Sequence, residues 1–204
     1  MHVGDYTVVA EVGETLIQAI WSQISADANL KALIGDQSLI SLESPAEHLD
    51  NKDAALLSIY LYRIVEDPFM KNRTAVEGAG GAQNEVPLAL DLYYLITPML
   101  AAARDRQIVL GKVMQVLYDR PTLQGSDLVG SLAGSGEVLR TVLDPVQLHD
   151  VALVWQALAI PYMLCLSYAV KVALLRSTVN TTGSRIVTVD RRYGSRAVAA
   201  GRGA

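Results

Sequence analysis

The residues best suited to metal binding or nucleophilic chemistry in this chain are His2, His48, His149 and the single cysteine, Cys165. No histidine has a second His or Cys at metal-ligand spacing. His149 stands beside Asp150, but adjacent residues of a helix point in different directions, so the pair makes no triad and His149 is expected to face solvent. Cys165 lies in an apolar stretch, where a thiol serves as a small core residue. The glycine-rich runs Gly78-Ala79-Gly80-Gly81 and Gly130 to Gly136 lack the Lys-Ser/Thr that grips phosphates. Neither run sits between a strand and a helix, as a dinucleotide fingerprint does, so both are expected to be flexible loops. No Gly-x-Ser-x-Gly nucleophile elbow occurs. Asn72-Arg73-Thr74 and Asn180-Thr181-Thr182 match the glycosylation pattern, but without a secretory signal they are chance occurrences. These residues form no catalytic constellation and imply no cofactor or metal.

What stands out is charge inside apolar segments. Arg63 interrupts Leu56-Leu57-Ser58-Ile59-Tyr60-Leu61-Tyr62-Arg63-Ile64-Val65, and Asp91 interrupts Leu88-Ala89-Leu90-Asp91-Leu92-Tyr93-Tyr94-Leu95-Ile96. Charges are rarely buried unpaired, so two readings stand: an ion pair across a sheet, or charge presented to a neighbouring subunit. The interleaved Tyr60, Tyr62, Tyr93 and Tyr94 could stack bases, but the basic residues of a nucleic-acid surface are missing around them. Packing under helices or at a protein interface is the reading adopted.

The elements that must position these groups follow from periodicity. Leu57, Ile59, Leu61 and Val65 alternate with Ser58, Tyr60 and Tyr62, leaving Arg63 as the exception on the apolar face; Leu88, Leu90, Leu92, Tyr94 and Ile96 alternate with Asp91 and Tyr93. Period-two patterning predicts two long strands, near 56–66 and 87–97, each about 30 Å at roughly 3.3 Å per residue. The polar segment between them, 67–86, is too long for a tight hairpin turn. Leu16, Ile17, Ile20, Trp21 and Ile24 recur at spacings of three and four and predict a helix over 14–24, capped by Gly13 or Thr7. Asp27 restarts a short helix that Gly35 stops, and Ser38–Leu42 is a short edge strand ahead of a surface loop over 43–53. A helix over 103–118 buries Leu110, Val113, Met114 and Leu117 and ends before Pro121. Residues 122–136 are expected to be loop and 137–143 a strand. Asp144-Pro145 predicts the start of a helix over 145–159 that carries Leu148, Val151, Ala152, Trp155 and Leu158. A strand over 163–175 follows, and Arg185 to Val189 has strand propensity. The core prediction is sharpest at Leu92 and Leu166.

The bulk numbers bound the class. A chain of 204 residues, 51% hydrophobic, is most simply one domain with a sizeable core. The domain is assigned to residues 1–175 and a basic tail to 176–204. From Arg176 onward there are six Arg and one Asp, a net of +5, which leaves −9 for residues 1–175 out of the overall −4. An acidic body attracts neither nucleic acid nor anionic membrane. With one cysteine no intrachain disulfide forms, and the N-terminus lacks the pattern of a signal peptide, so folding in the cytoplasm is expected. Val151 to Val170 has no charge for 20 residues, the length of a membrane span. Pro161 breaks it, and a helical period gives way there to a strand period, so a buried helix-turn-strand unit is expected and no stable membrane insertion.

Several stretches, taken in order, resemble a known family. They are Leu57-Ser58-Ile59-Tyr60-Leu61-Tyr62-Arg63 with Asp67-Pro68 and Asn72; Pro87 to Pro98; Leu110-Gly111-Lys112-Val113-Met114-Gln115-Val116-Leu117-Tyr118-Asp119; and Trp155-Gln156-Ala157-Leu158 with Pro161-Tyr162 and Leu166-Ser167-Tyr168. Over about residues 5–175 the chain resembles the N-terminal domain of the cap, or tail-terminator, proteins of extracellular contractile injection systems. Those are the phage-tail-like particles typified by the antifeeding prophage and the Photorhabdus virulence cassettes. The resemblance implies an α+β fold, a mixed and largely antiparallel sheet flanked by helices. It implies a non-enzymatic subunit of a homohexameric ring, assembled in the cytoplasm, with the inner-tube and sheath proteins as partners and with no cofactor. Interface candidates are Arg63, Asp67, Asn72, Arg73, Asp91, Arg185, Arg191 and Arg192, with loop 67–86 and the ends of the long strands as ring contacts. Some members continue into a further C-terminal domain, where this chain has its basic tail, and Met163 stands where a basic residue is common. Two alternatives stay open on the residues alone. One is a small cytoplasmic enzyme or ligand-binding domain built from the tyrosines, Arg63, Asp91 and His149, and the other is a baseplate or adaptor component of the same particle.

Overall fold

The computed structural model describes residues 6–49, 55–70 and 87–175. Its chain order is α1 (Val8–Ser25), α2 (Ala28–Ile34), β1 (Ile40–Ser41), β2 (Leu57–Glu66), β3 (Leu88–Pro98), α3 (Ala103–Asp119), β4 (Thr122–Gln124), β5 (Val138–Leu143), α4 (Leu148–Ala157) and β6 (Leu166–Leu175). Among the described residues the strands form one sheet in the order β1-β2-β3-β6-β5-β4. Only β1 and β2 pair in parallel; every other neighbouring pair is antiparallel. This is the mixed, largely antiparallel α+β architecture that the family resemblance implies.

The core lies on one face of that sheet, beneath α1 and α3. Val12, Leu16, Ile20 and Ile24 of α1 are buried against Leu57, Ile59, Leu92, Tyr94 and Ile96 of the long strands. From α3, Val109, Val113 and Leu117 join the same cluster. Gly13 lies where α1 crosses Leu42, with a built Cβ only 2.9 Å from that side chain, so it serves close packing inside the helix and does not start it. Thr7 occupies the N-cap position without a side-chain cap bond. Asp27 does cap α2, accepting from the backbone N–H groups of Asn29 and Leu30, and Gly35 ends it at φ +82°.

Several expectations need correction. Met114 is exposed, because α3 turns Val113 and Leu117 inward and leaves Met114 beside the open end of β5. Thr122–Gln124 is an edge strand, not loop; Leu123 buries against the core while its neighbours pair with β5. The 43–53 segment is more than surface loop where it is described. Pro45–His48 is a 3-10 turn with Ser44, Pro45 and His48 buried, tied to β2 by the Ser58 hydroxyl donating to the Glu43 carbonyl at 2.7 Å.

The largest departures surround α4. Asp144-Pro145 does not start the helix, which begins at Leu148 after an extended Gln147. The Asp144 N–H instead donates to the Ser167 carbonyl at 2.9 Å, prolonging the β5–β6 ladder by one step. β6 then begins at Leu166, so Cys165 precedes the strand and is half-buried; Leu166 is also only half-buried, while Leu92 is fully buried. The uncharged stretch is buried as a unit only in its strand part, Ser167 to Val170; its helix is not. Trp155 alone of the α4 residues is buried, packed edge-on against Tyr162 with ring centroids 5.9 Å apart. Leu148 and Leu153 are 70% and 51% exposed. Among the described residues no helix is long and apolar enough to cross a membrane.

Candidate functional site

The face of the sheet opposite α1 and α3 collects the polar residues, and a single extra residue decides which ones. Leu61 lies opposite Tyr94, yet Arg63 lies opposite Tyr93, so Tyr62 forms a β-bulge in β2. Side chains alternate with period two, so one inserted residue exchanges the two faces for the remainder of the strand. Leu57, Ile59 and Leu61 face the core, and beyond the bulge Ile64 takes their side. Arg63 is therefore no exception on the apolar face, as simple alternation implies. It stands with Tyr93, Leu95, Ser167 and Ala169, since directly opposed residues share a face.

The bulge gathers Tyr62, Arg63, Tyr93, Asp144 and Ser167 from four segments. Ser167 donates from Oγ to Asp144 Oδ2 at 3.0 Å. The Tyr62 hydroxyl lies 3.0 Å from Ser167 Oγ, which, having spent its hydrogen on Asp144, accepts from it; Asp144 is 3.5 Å from the same hydroxyl. The Arg63 guanidinium lies 3.7 Å above the Tyr93 ring centroid and 3.8 Å from Asp144 Oδ2. Cation–π contacts of this exposure contribute about 0.5–1 kcal/mol. Burial pushes the Tyr62 hydroxyl above its ordinary range, opposed by its hydrogen bond to Ser167. The cluster floors a groove of about 270 Å³ walled by Asp150, Val151 and Val154 of α4.

Asp91 takes a different partner. β6 carries its own irregularity, Leu90 lying opposite Ala173 and Leu92 opposite Val170, and beside it the Lys171 ammonium donates to Asp91 Oδ2 at 3.1 Å. That hydrogen bond raises the Lys171 pKa. Of the two readings of the embedded charges, the cross-sheet ion pair holds for Asp91, but its cation is on β6 and not on β2. Asp67, a third interface candidate, is buried and closes a turn: its carboxylate accepts from the N–H groups of Phe69 and Met70 at 2.8 and 2.9 Å. Asn72, Arg73, Arg185, Arg191 and Arg192, the strand expected at 185–189, and most of loop 67–86 lie outside the described residues. His149 is exposed on α4, and His48 is buried 3.5 Å from the Glu43 carboxylate. Among the described residues no three His, Cys, Asp or Glu side chains are grouped to hold a metal.

Sequence reasoning missed Asp144 and Ser167 as members of the polar cluster. It also missed an apolar surface around the end of β5, where a groove of about 500 Å³ is lined by Met114, Leu117, Tyr118, Leu143 and Tyr168. Of its lining only Tyr168 falls in the uncharged stretch from Val151 to Val170, so that stretch gave only a partial signal of it.

This fold has counterparts among known proteins. The family model of the Pvc16 N-terminal domain matches residues 11–188, and the chain belongs to that family. Among solved structures, the PVC sheath/tube terminator of an extracellular contractile injection system, in its extended state, is similar at 20% identity with a TM-score of 0.52. The alignment covers 84% of this chain and 62% of that one. The anti-feeding prophage tube-terminating cap aligns at 20% identity and a TM-score of 0.48, covering 80% of this chain and 57% of that one. The chain thus spans about three fifths of the length of these solved chains. No curated protein matches it.

Proposed function

We propose that this chain is a structural subunit of the terminating cap of a contractile injection system, and that it does its work by occupying a growing tip. The observation that carries this reading is membership of the Pvc16 N-terminal domain family over residues 11–188, joined to a fold shared with a sheath/tube terminator. In this reading copies of the chain form a homohexameric ring seated on the last inner-tube ring and against the last sheath ring. The ring removes the surface onto which the next tube or sheath ring adds. The role is mechanical, with no reaction catalysed and no cofactor required, and the subunit assembles in the cytoplasm of the producing cell.

A cyclic ring needs a heterologous interface, one face of each subunit meeting a different face of the next. Exposed apolar residues at the ends of the long strands support a contact there: Phe69, Ile64 and Leu88 are 87%, 49% and 42% exposed. The division into a body over 1–175 and a basic tail over 176–204 belongs to the same proposal, the tail of +5 meeting a neighbour's body of −9.

The test is a clean deletion in a particle-producing host, with particles counted and measured by electron microscopy. Overlong, uncapped, unstable or missing particles are expected. Normal number, length and tip shape refute the cap reading.

A further inference from the structure

A connected, partly apolar surface runs around the end of β5. The groove beside α3 and the groove under the start of α4 share Leu143, and the latter shares Asp144, Pro145, Val146 and Val151 with the groove over the Arg63 cluster. Along this trough Leu143, Leu148 and Tyr162 are exposed, and Tyr118 rises at its far end. Asp144 and Asp150 line the end nearest Arg63, and Arg63 is already engaged with Asp144 and Tyr93. A surface of this kind is mostly apolar beside α3 and α4 and acidic at one end, with its nearest cation committed elsewhere. It suits an extended peptide of aliphatic residues followed by free cations.

We propose that this trough receives residues 185–192 of a neighbouring copy of the same chain. The proposal rests on the ring reading given above and names the surface that accepts the tail. Arg185-Ile186-Val187-Thr188-Val189-Asp190-Arg191-Arg192 carries four β-prone residues, Ile186 to Val189, followed after Asp190 by two arginines. In an extended chain Val187, Val189 and Arg191 lie on one side, so that the valines face Leu143, Leu148 and Tyr162 while Arg191 reaches Asp150 and the free side of Asp144, and Arg192 points away from the trough. Chain length argues for a neighbour's segment over the chain's own. β6 starts at the trough, where Leu166 and Ser167 line its wall, and ends at Leu175 opposite Leu88. Ten residues of strand carry the chain about 30 Å away. The nine residues 176–184 span about 30 Å only when fully extended, so a return to the same subunit's trough uses all of their length.

The experiment uses full-length chains in a Cys165→Ala background. One population carries Leu148→Cys and another Val187→Cys; they are mixed and oxidised, and disulfide-linked dimer is read on a non-reducing gel. Leu148 is a surface position, so the substitution leaves folding intact, as a melting curve verifies. Ile108→Cys, also exposed but in the groove between α2 and α3, is the off-site control. The expected result is a linked dimer with Leu148→Cys, about tenfold above the Ile108→Cys control and suppressed about tenfold by excess synthetic peptide of residues 184–193. Absence of linked dimer, equal linking at Ile108→Cys, or only an internal bridge in a chain carrying both substitutions overturns the proposal. These readouts do not involve the particle. An abnormal deletion phenotype with no crosslink removes the trough assignment alone, and a crosslink with normal particles removes the cap reading alone.

Discussion

The contrast between Leu92 and the leucines of α4 gives the sharpest test of which apolar residues hold the subunit together. Leu92 is fully buried, flanked in register by Ile64 and Val170 on the core face. Replacing it with Ala removes its transfer free energy and leaves a cavity, at a cost of about 3 kcal/mol. For a chain of this size each kcal/mol lowers Tm by about 2–4 °C, so a loss of about 6–12 °C is expected. Leu148 is 70% exposed, and less than a third of the roughly 2 kcal/mol gained by burying a leucine is realised there, about 0.6 kcal/mol. At Leu153, 51% exposed, the same reasoning gives about 1 kcal/mol. Alanine's slightly better helix propensity offsets a small part of each loss, leaving somewhat less than about 0.6 kcal/mol at Leu148 and somewhat less than about 1 kcal/mol at Leu153. Urea unfolding of the three single variants, monitored by far-ultraviolet circular dichroism, separates the cases. Near-native midpoints are expected for Leu148→Ala and Leu153→Ala, and a much reduced midpoint with unchanged slope for Leu92→Ala. Should the α4 variants lose as much as Leu92→Ala, the helix belongs to the core, and the trough argument falls with it.

Other expectations concern the backbone and the charges. Ala159, just past α4, sits at φ +56°, where a side chain is strained; Ala159→Gly should raise stability by about 0.5–1 kcal/mol, read as a higher urea midpoint. Gly130 has φ +60° and a built Cβ 2.7 Å from the Glu11 carboxylate, so Gly130→Ala should cost about 1–2 kcal/mol; an unchanged midpoint would mean that the turn over α1 relaxes freely. Partial burial of Glu11 works to raise its pKa, but hydrogen bonds led by that from the Ser131 hydroxyl, at 2.7 Å, hold it below the usual carboxylate value. A depressed folded pKa contributes stability above the unfolded value, about pH 4.3, that is lost as pH falls through the folded value. Melting of Glu11→Gln should therefore converge on that of the parent chain below about pH 4 and fall short of it at neutral pH. Lys171 has the opposite sign: its raised pKa means that the Asp91 bond contributes at neutral pH and is lost only as pH rises above about 10. Lys171→Met should thus be less stable than the parent at pH 7, with the gap narrowing in strong alkali.

The elements with an uninterrupted period were legible from the chain itself. β3 is readable because Leu88 to Ile96 alternate for nine residues between Pro87 and Pro98, and α1 because its apolar residues return every three or four positions. The family was legible from short stretches taken in order along the long strands, α3, α4 and the start of β6. What the chain could not show is whatever depends on a partner segment. Tyr62 is a bulge only relative to β3, and nothing in Ser58 to Val65 marks the one-residue slip that moves Arg63 to the opposite face. Asp144-Pro145 carries a strong local helix-start signal, yet the open ladder edge of β6 offers the Asp144 N–H the Ser167 carbonyl, and Ser167 supplies its carboxylate with a hydroxyl hydrogen. Local preference of about 1 kcal/mol yields to two such bonds. The exposure of α4 was equally out of reach. Hydropathy registers that Leu148, Leu153 and Leu164 are apolar, but whether they are covered depends on which surfaces the fold brings over them. Periodicity is a property of the chain alone, whereas register and burial belong to pairs of segments and exist only once tertiary structure has brought the pairs together.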